Sequence, residues 1–266
     1  MTAGPLLPSV LDTAVLAARA AGAIQRQLLG AAVVEDKGAS DITTDVDAAC
    51  ERAVVEIIEG RHPGHSVLAE EGTERRGAGP WLWIVDPLDG TKNYAHGYPR
   101  SCVSIACAKG GVVVAGVVYN PHTDELFAAE LGAGARLGGA PIHVSPTPRL
   151  SRAMVASALT YDASTPAVRT ADRAQLERLA RVLGAAEALR SDGCCALDLC
   201  DVARGRFDGY FERGLKAWDT AAGALIVREA GGRTSDFAGR PHDPFGLDTL
   251  ATNAAIHADL VALMTP

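Results

Sequence analysis

Six acidic residues of this 266-residue sequence sit at the edges of apolar runs, in four separate stretches. Trp81-Leu82-Trp83-Ile84-Val85 runs straight into Asp86-Pro87-Leu88-Asp89-Gly90-Thr91, so a buried strand delivers two carboxylates, spaced i and i+3, onto a turn. Ser66–Ala69 likewise ends in Glu70-Glu71-Gly72, and Asp219 opens an apolar stretch after Trp218. Asp45 starts another such stretch, with Asp47 two residues on. Taken singly, each has a local explanation. Asp-Pro and Asp-Gly are ordinary turn dipeptides, and an acid at a helix start is favoured by the helix dipole. Taken together they read differently. If Asp45, Glu70, Glu71, Asp86, Asp89 and Asp219 converge, neighbours about 4 Å apart repel by roughly 4 kcal/mol at an effective dielectric of about 20. Such a cluster takes up protons or binds cations. All-oxygen donors select hard ions, with Mg²⁺ the natural one, and no His or Cys accompanies them in a ligand-like arrangement to favour zinc. His62, His65 and His96 show no ligand-like repeat and read as turn or surface residues.

Beside the acids, the turn at Gly90 and Thr91 can aim backbone N–H groups at one phosphate. Cations and N–H donors converging on one oxyanion is an arrangement suited to in-line displacement at phosphorus. The Thr91 hydroxyl is either a turn hydroxyl or the group that orients an attacking water. Lys37 precedes the stretch that leads to Asp45 and reads as a loop lysine.

The elements that must position these residues are legible from periodicity. Val10–Leu29 keeps one apolar helical face between Ser9 and Gly30. A second helix starts at Asp45, with Thr44 and Asp47 in capping-box spacing, and is expected to stop at Gly60. Ser66–Ala69 and Trp81–Val85 read as buried strands. Cys102–Ala108, Val112–Tyr119 and Glu125–Ala129 read as an antiparallel meander. The Ser145-Pro146-Thr147-Pro148-Arg149 segment divides an N-terminal half (1–147), carrying most of the acids, from a C-terminal α/β half (148–266), the two forming one globular unit. Beyond it strands and helices alternate: strands at Met154–Ser157, Ala188–Arg190 and Phe207–Phe211, and helices at Ala171–Ala186, Cys194–Ala203 and Trp218–Ala230. That alternation is the pattern of a layered α/β architecture.

Composition excludes several classes. Hydrophobic residues at 48% and charged residues at 21% rule out a disordered chain. Twenty-five basic against 32 acidic side chains leave a net charge of −7, without the basic face that nucleic acid or an anionic membrane demands. No apolar run reaches membrane-spanning length, and no basic leader opens the sequence, so a soluble cytoplasmic protein is expected. The six cysteines include no Cys-x-x-Cys pair and read as reduced, buried thiols.

At Val85–Thr91 and Trp218–Gly223, with Glu70-Glu71 upstream, the sequence resembles the inositol monophosphatase family of Mg²⁺-dependent, lithium-sensitive phosphatases. The matching blocks (Ser40–Asp47, Leu68–Gly72, Trp83–Thr91 and Trp218–Gly232) span nearly the whole chain in the family's order. The resemblance implies a layered αβαβα sandwich, a homodimer, and two or three Mg²⁺ ions per site. Glu70, Asp86 and the Leu88 carbonyl would hold the first ion, Asp86, Asp89 and Asp219 the second, and a looser third would share Glu70. Thr91, relayed to Asp45, would help deprotonate the attacking water. Gly90 and Thr91 would hold the phosphate, while Gly193, Cys194, Cys195, Glu212 and Asp219 would line the substrate side, Glu212 taking a substrate hydroxyl. Glu71 would support the ligands from behind, and Lys37 would help electrostatically. Lys92 and the Cys194-Cys195 pair depart from the inositol-phosphate pattern, and Lys92 is frequent in relatives acting on histidinol phosphate. The implied reaction is hydrolysis of a small phosphorylated alcohol, foremost myo-inositol monophosphate. Histidinol phosphate, fructose 1,6-bisphosphate and 3′-phosphoadenosine 5′-phosphate are the alternative substrates, and a non-catalytic metal or phosphate sensor is the alternative class.

Overall fold

The computed structural model describes residues 9–36, 42–158 and 166–265. Seven α-helices are present among them: α1 (Val10–Leu28), α2 (Asp45–Arg61), α3 (Thr91–Ala95), α4 (Pro166–Ala185), α5 (Cys195–Ala203), α6 (Ala217–Glu229) and α7 (His257–Ala262). The Ser9 hydroxyl caps α1 by accepting the Asp12 N–H, and Thr44 with Asp47 forms the expected capping box on α2. Helix α2 runs one residue past Gly60, because the main-chain bond from His62 N–H to the Ile58 carbonyl closes its last turn.

An eight-stranded sheet forms the N-terminal half. In spatial order its strands are Ala140–Pro141, Ala135–Leu137, Glu125–Glu130, Val112–Asn120, Cys102–Lys109, Trp81–Asp89, Ser66–Ala69 and Glu74–Arg75. All neighbours are antiparallel except Ser66–Ala69 beside Trp81–Asp89. A five-stranded sheet follows, in the order Ala188–Arg190, Met154–Ala156, Gly209–Arg213, Asp248–Thr252, Arg233–Ser235. The sequence periodicity did not reveal the short hairpin of Val34–Asp36 with Ile42–Thr44, whose strands have only three residues each.

Strand alternation sorts the core into three layers. One face of the large sheet (Trp83, Val85, Val103, Ile105, Val117, Tyr119) packs on the alanine-rich side of α1 and on Val54 and Ile58 of α2. Its other face (Ile84, Cys102, Ala106, Val118, Phe127) meets Leu199 of α5 and Leu225 of α6, which in turn rest on Tyr210 and Ala251 of the small sheet. Behind that sheet, Val155, Phe211 and Leu250 pack against Val182 of α4 and Leu260 of α7. The molecule is thus helix, sheet, helix, sheet, helix: the expected αβαβα sandwich. The middle layer is shared, so one core joins residues on both sides of the 145–149 segment.

Candidate active site

The strand at Trp81–Asp89 does not stop at Val85, where apolar character ends, but carries both of its acids inside the sheet. Asp86 pairs with Ser104 and Asp89 with Cys102, so three steps on one strand face two on the other. The extra residue is a bulge, and Pro87, which has no N–H to offer the ladder, lies within it. The bulge bends the strand, and the Asp86 carboxylate closes the turn by accepting the Leu88 N–H at 2.9 Å.

Glu70 arrives by a different route. Ser66–Ala69 runs parallel to Trp81–Asp89 with Ala69 opposite Val85, so Glu70, just past its strand, stands level with Asp86. A bond from Glu70 N–H to the Val85 carbonyl (3.2 Å) holds that level. Asp219 comes from the other side of the sheet at the head of α6. The Ser104 hydroxyl, opposite Asp86, donates to the Trp218 carbonyl at 3.0 Å and so ties the start of α6 to the acid-bearing strand. The Asp219 carboxylate accepts the Lys216 N–H at 2.6 Å, capping its own helix.

The electrostatics agree with this convergence. Asp86 is 1% exposed. Burial first, and then the charges of Glu70, Asp89 and Asp219, push its pKa well above the ordinary carboxylate value. Asp219 is raised in the same way, by burial and then by Asp89, with Glu70 and Glu212 adding to the shift. Burial also raises Asp89, against the lowering effect of the N–H of Ala196 and the thiol of Cys194. Four carboxylates from three elements therefore press on one another, a concentration of negative charge that bound cations would relieve. These four side chains offer oxygen donors, which fits Mg²⁺.

The Thr91 hydroxyl lies within bonding distance of the Asp47 carboxylate (3.1 Å) and the Leu88 carbonyl (3.0 Å). The expected partner was Asp45, and here the structure differs. Asp45 is exposed at the first position of α2, and its carboxylate accepts the Val33 N–H at 2.9 Å. Two residues further along a helix is about 200° of rotation, which carries the side chain to the opposite face. Asp47 is thus turned inward, where it is buried and held by the Thr44 N–H (2.8 Å) and hydroxyl (2.6 Å). Burial raises the Asp47 pKa despite the bonds from Thr44. The missed signal was the i, i+4 pair Asp47 and Glu51, two acids on one face of an otherwise apolar-facing helix. Glu51 is buried and accepts the Glu71 N–H (2.7 Å), the Thr73 N–H (3.1 Å) and the Thr73 hydroxyl (2.6 Å), fixing the turn that presents Glu70. The Glu71 side chain accepts the Thr43 hydroxyl at 3.2 Å. Lys37 lies outside the described residues.

Gly90 sits at φ +86°, and a β-carbon there would stand 2.8 Å from the Arg100 carbonyl oxygen and 3.3 Å from the Cys194 Cβ. Only glycine lets the Gly193-Cys194-Cys195 turn come so close. Asn93 Nδ2 donates to the Arg100 and Asp192 carbonyls, both at 2.8 Å, and pins that turn to α3. Arg100, which the sequence did not single out, ties the same region to α5 through Asp198 (2.5 Å) and Asp201 (2.9 Å). Burial works against the Arg100 charge, but these carboxylates outweigh it and hold the guanidinium above its ordinary pKa. Cys194 stands at the position before α5 and donates its thiol to Asp89 Oδ2 at 3.1 Å. Glu212 is buried, and one of its oxygens accepts the Tyr210 hydroxyl at 2.5 Å.

Fold and site together define a layered α/β phosphatase, and comparison with known proteins agrees. The crystal structure of the extragenic suppressor protein SuhB from Bartonella henselae superposes with a TM-score of 0.91 at 35% identity, covering 97% of this chain and 99% of that one. An inositol-1-monophosphatase of Synechocystis sp. is 42% identical over 257 residues, 96% of this chain and 88% of the relative. The Nus factor SuhB of Vibrio cholerae is 41% identical over 238 residues, 86% of each. Residues 7–265 match the model of the inositol monophosphatase family, and the chain belongs to that family. It is accordingly a phosphoric monoester hydrolase of a metal-dependent family, acting on small-molecule phosphate esters. Among the described residues no helix is long and apolar enough to cross a membrane.

Proposed function

We propose that the protein hydrolyses myo-inositol monophosphate to inositol and phosphate in a Mg²⁺-dependent reaction. The convergence of Glu70, Asp86, Asp89 and Asp219 beside the Thr91–Asp47 pair carries this reading. In the proposal Glu70, Asp86, the Leu88 carbonyl, Asp89 and Asp219 hold the cations. Bound Mg²⁺ supplies Lewis acidity, acidifying the attacking water and neutralising charge on the phosphoryl group and leaving oxygen. The rest of the chemistry belongs to the chain. Thr91 Oγ1 accepts a proton from the attacking water as its own proton passes to Asp47 Oδ1. Asp47 suits that task, because its other oxygen is locked by Thr44 and burial raises its basicity. Gly90 and Thr91 open α3, where first-turn N–H groups lack helical acceptors, so they can bind the phosphate oxygens. In the proposal Glu212, which accepts the Tyr210 hydroxyl, also takes a hydroxyl of the polyol. The homodimer and cytoplasmic location expected from the sequence are part of the same proposal.

Phosphate release from inositol 1-phosphate, histidinol phosphate, fructose 1,6-bisphosphate and 3′-phosphoadenosine 5′-phosphate, with Mg²⁺ or with EDTA, tests it. Inositol 1-phosphate is expected to be turned over fastest and only with Mg²⁺. Preference for histidinol phosphate would shift the assignment to the reading that Lys92 favours, and no release from any ester by folded protein would remove it.

A further inference from the structure

The acid cluster is bordered by a second set of donors of different character. Cys102 of the Cys102–Lys109 strand and Cys194 at the head of α5 are distant in sequence, yet their Sγ atoms lie 3.7 Å apart. Both approach the same oxygen of Asp89, at 3.9 Å and 3.1 Å. Both cysteines are free and buried, while Asp89 is only partly so. We propose that Cys102, Cys194 and Asp89 form a thiophilic metal site, taking Zn²⁺ or Cd²⁺ through two thiolates and one carboxylate.

The spacing supports a metal rather than a chance meeting of thiols. Tetrahedral Zn²⁺ with Zn–S near 2.3 Å places two sulfurs about 3.8 Å apart, and with Zn–O near 2.1 Å places each sulfur about 3.6 Å from the oxygen. The observed S–S edge of 3.7 Å lies close to the first value, and the two S–O edges, 3.1 and 3.9 Å, fall on either side of the second. The ligand oxygen is already oriented, since Asp89 Oδ2 accepts the Ala196 N–H at 2.7 Å. Such an outer donor is what holds a ligating carboxylate in place. The fourth position is left to solvent or a substrate oxygen. Binding releases the two thiol protons to water. Soft and hard sites share Asp89. On the proposed function, in which Asp89 also holds Mg²⁺, a thiophilic ion removes a ligand from the catalytic set and the two ions compete.

Zinc K-edge absorption on the reduced wild-type protein, loaded with one equivalent of Zn²⁺, tests the site. Two sulfur scatterers near 2.3 Å with oxygen or nitrogen near 2.1 Å are expected; a shell of light atoms alone would overturn the proposal and leave zinc among the carboxylates. Titration with Cd²⁺, followed by the ultraviolet sulfur-to-metal charge-transfer band, is expected to saturate at one ion per chain. Cys102→Ser and Cys194→Ser should each weaken Cd²⁺ by at least the roughly 10- to 100-fold that loss of even an outer partner costs. Cys107→Ser, on the opposite face of the strand, should not; unchanged affinity in both of the first two variants would sink the site. Should either variant fail to fold, the wild-type absorption spectrum still decides. Excess Mg²⁺ is expected to raise the apparent Zn²⁺ dissociation constant. A sulfur shell that persists with no Mg²⁺ competition would uphold the thiol site and count instead against Asp89 as a ligand for the hard cation.

Discussion

At the scale of single residues, the decisive feature is which of two nearby aspartates faces Thr91. Asp47 does, and Asp45 faces solvent. Asp47→Asn is therefore expected to lower turnover by about 10²–10⁴, the usual contribution of a proton acceptor. Asp45→Asn should change turnover little and cost at most about 1 kcal/mol of stability from a lost helix-end charge. Initial rates at saturating Mg²⁺ on both variants check this, and equal losses would return the relay to either residue. Asp89→Asn should abolish turnover with circular dichroism unchanged. Near-wild-type rates in that variant would remove Asp89 from the cation ligands. Residue types and spacing made nearly all of this legible: the acids, the glycine turn and the threonine were each visible as chemistry. What could not be read was the helical phase of Asp45 against Asp47. Both acids suit a helix N-terminus, and only the strand leading into α2 sets which side of the helix meets the pocket.

At the scale of elements, close approach of helices and strands positions the site. Helix α6 carries Asp219 and lies so near α5 that a β-carbon at Gly223 would stand 2.7 Å from the Cβ and Cδ1 of Leu199. Helix propensity alone favours alanine over glycine by about 1 kcal/mol. A clash with a Cβ cannot be relieved by rotating a side chain, so strain of about 1–3 kcal/mol should outweigh that gain. Gly223→Ala is accordingly expected to lower the melting temperature, despite its better helix propensity; a rise would mean that the α5–α6 spacing yields easily. The same logic explains why strand ends were harder to read than strand centres. The Trp81 strand extends through Asp86-Pro87-Leu88-Asp89 because the neighbouring Cys102–Lys109 strand supplies partners across a bulge. Polar residues and a proline read locally as the end of a strand, and pairing with a distant segment is what overrides them.

At the scale of the whole molecule, stability and function are linked through charge. The pocket concentrates raised, mutually repelling carboxyls, so a cation that binds only the folded state should stabilise it. Mg²⁺ at a hundred times its dissociation constant contributes about 2.7 kcal/mol, or roughly 5–11 °C in melting temperature for a chain of this size. Asp86→Asn is expected to lose most of that increment, and an unchanged increment would place the cation elsewhere. Far from the pocket, burial and then Arg233 push the pKa of His257 down to about 4, with its Nδ1 bonded to the Thr252 hydroxyl at 2.9 Å. The native state thus keeps this ring neutral while the unfolded chain protonates it near pH 6.5. Between those values the unfolded state binds more protons, so stability is lost as pH falls from about 6.5 towards 4. Thermal melts across that range should show a shallower acid-side decline in His257→Gln than in the wild type, whatever the variant's absolute stability.

The sequence by itself determined the layered α/β class, most helices and strands to within a few residues, the acids that gather in the cluster and the family resemblance. Each of these rests on local pattern: periodicity, capping residues, and acids at the ends of apolar runs. Tertiary structure alone decided that Asp47 and not Asp45 meets Thr91, that Glu51 and Arg100 brace the site, and that Cys102 and Cys194 converge on Asp89. No His or Cys accompanies the acids along the chain in a ligand-like repeat, which spoke against a soft metal, yet two thiols, one 13 residues from Asp89 and the other 105, lie against it in space. The physical reason is common to all three. Side-chain direction on a helix, the charges facing a loop and the partners of a buried thiol are set by packing between segments far apart in the chain, and local sequence carries no record of that register.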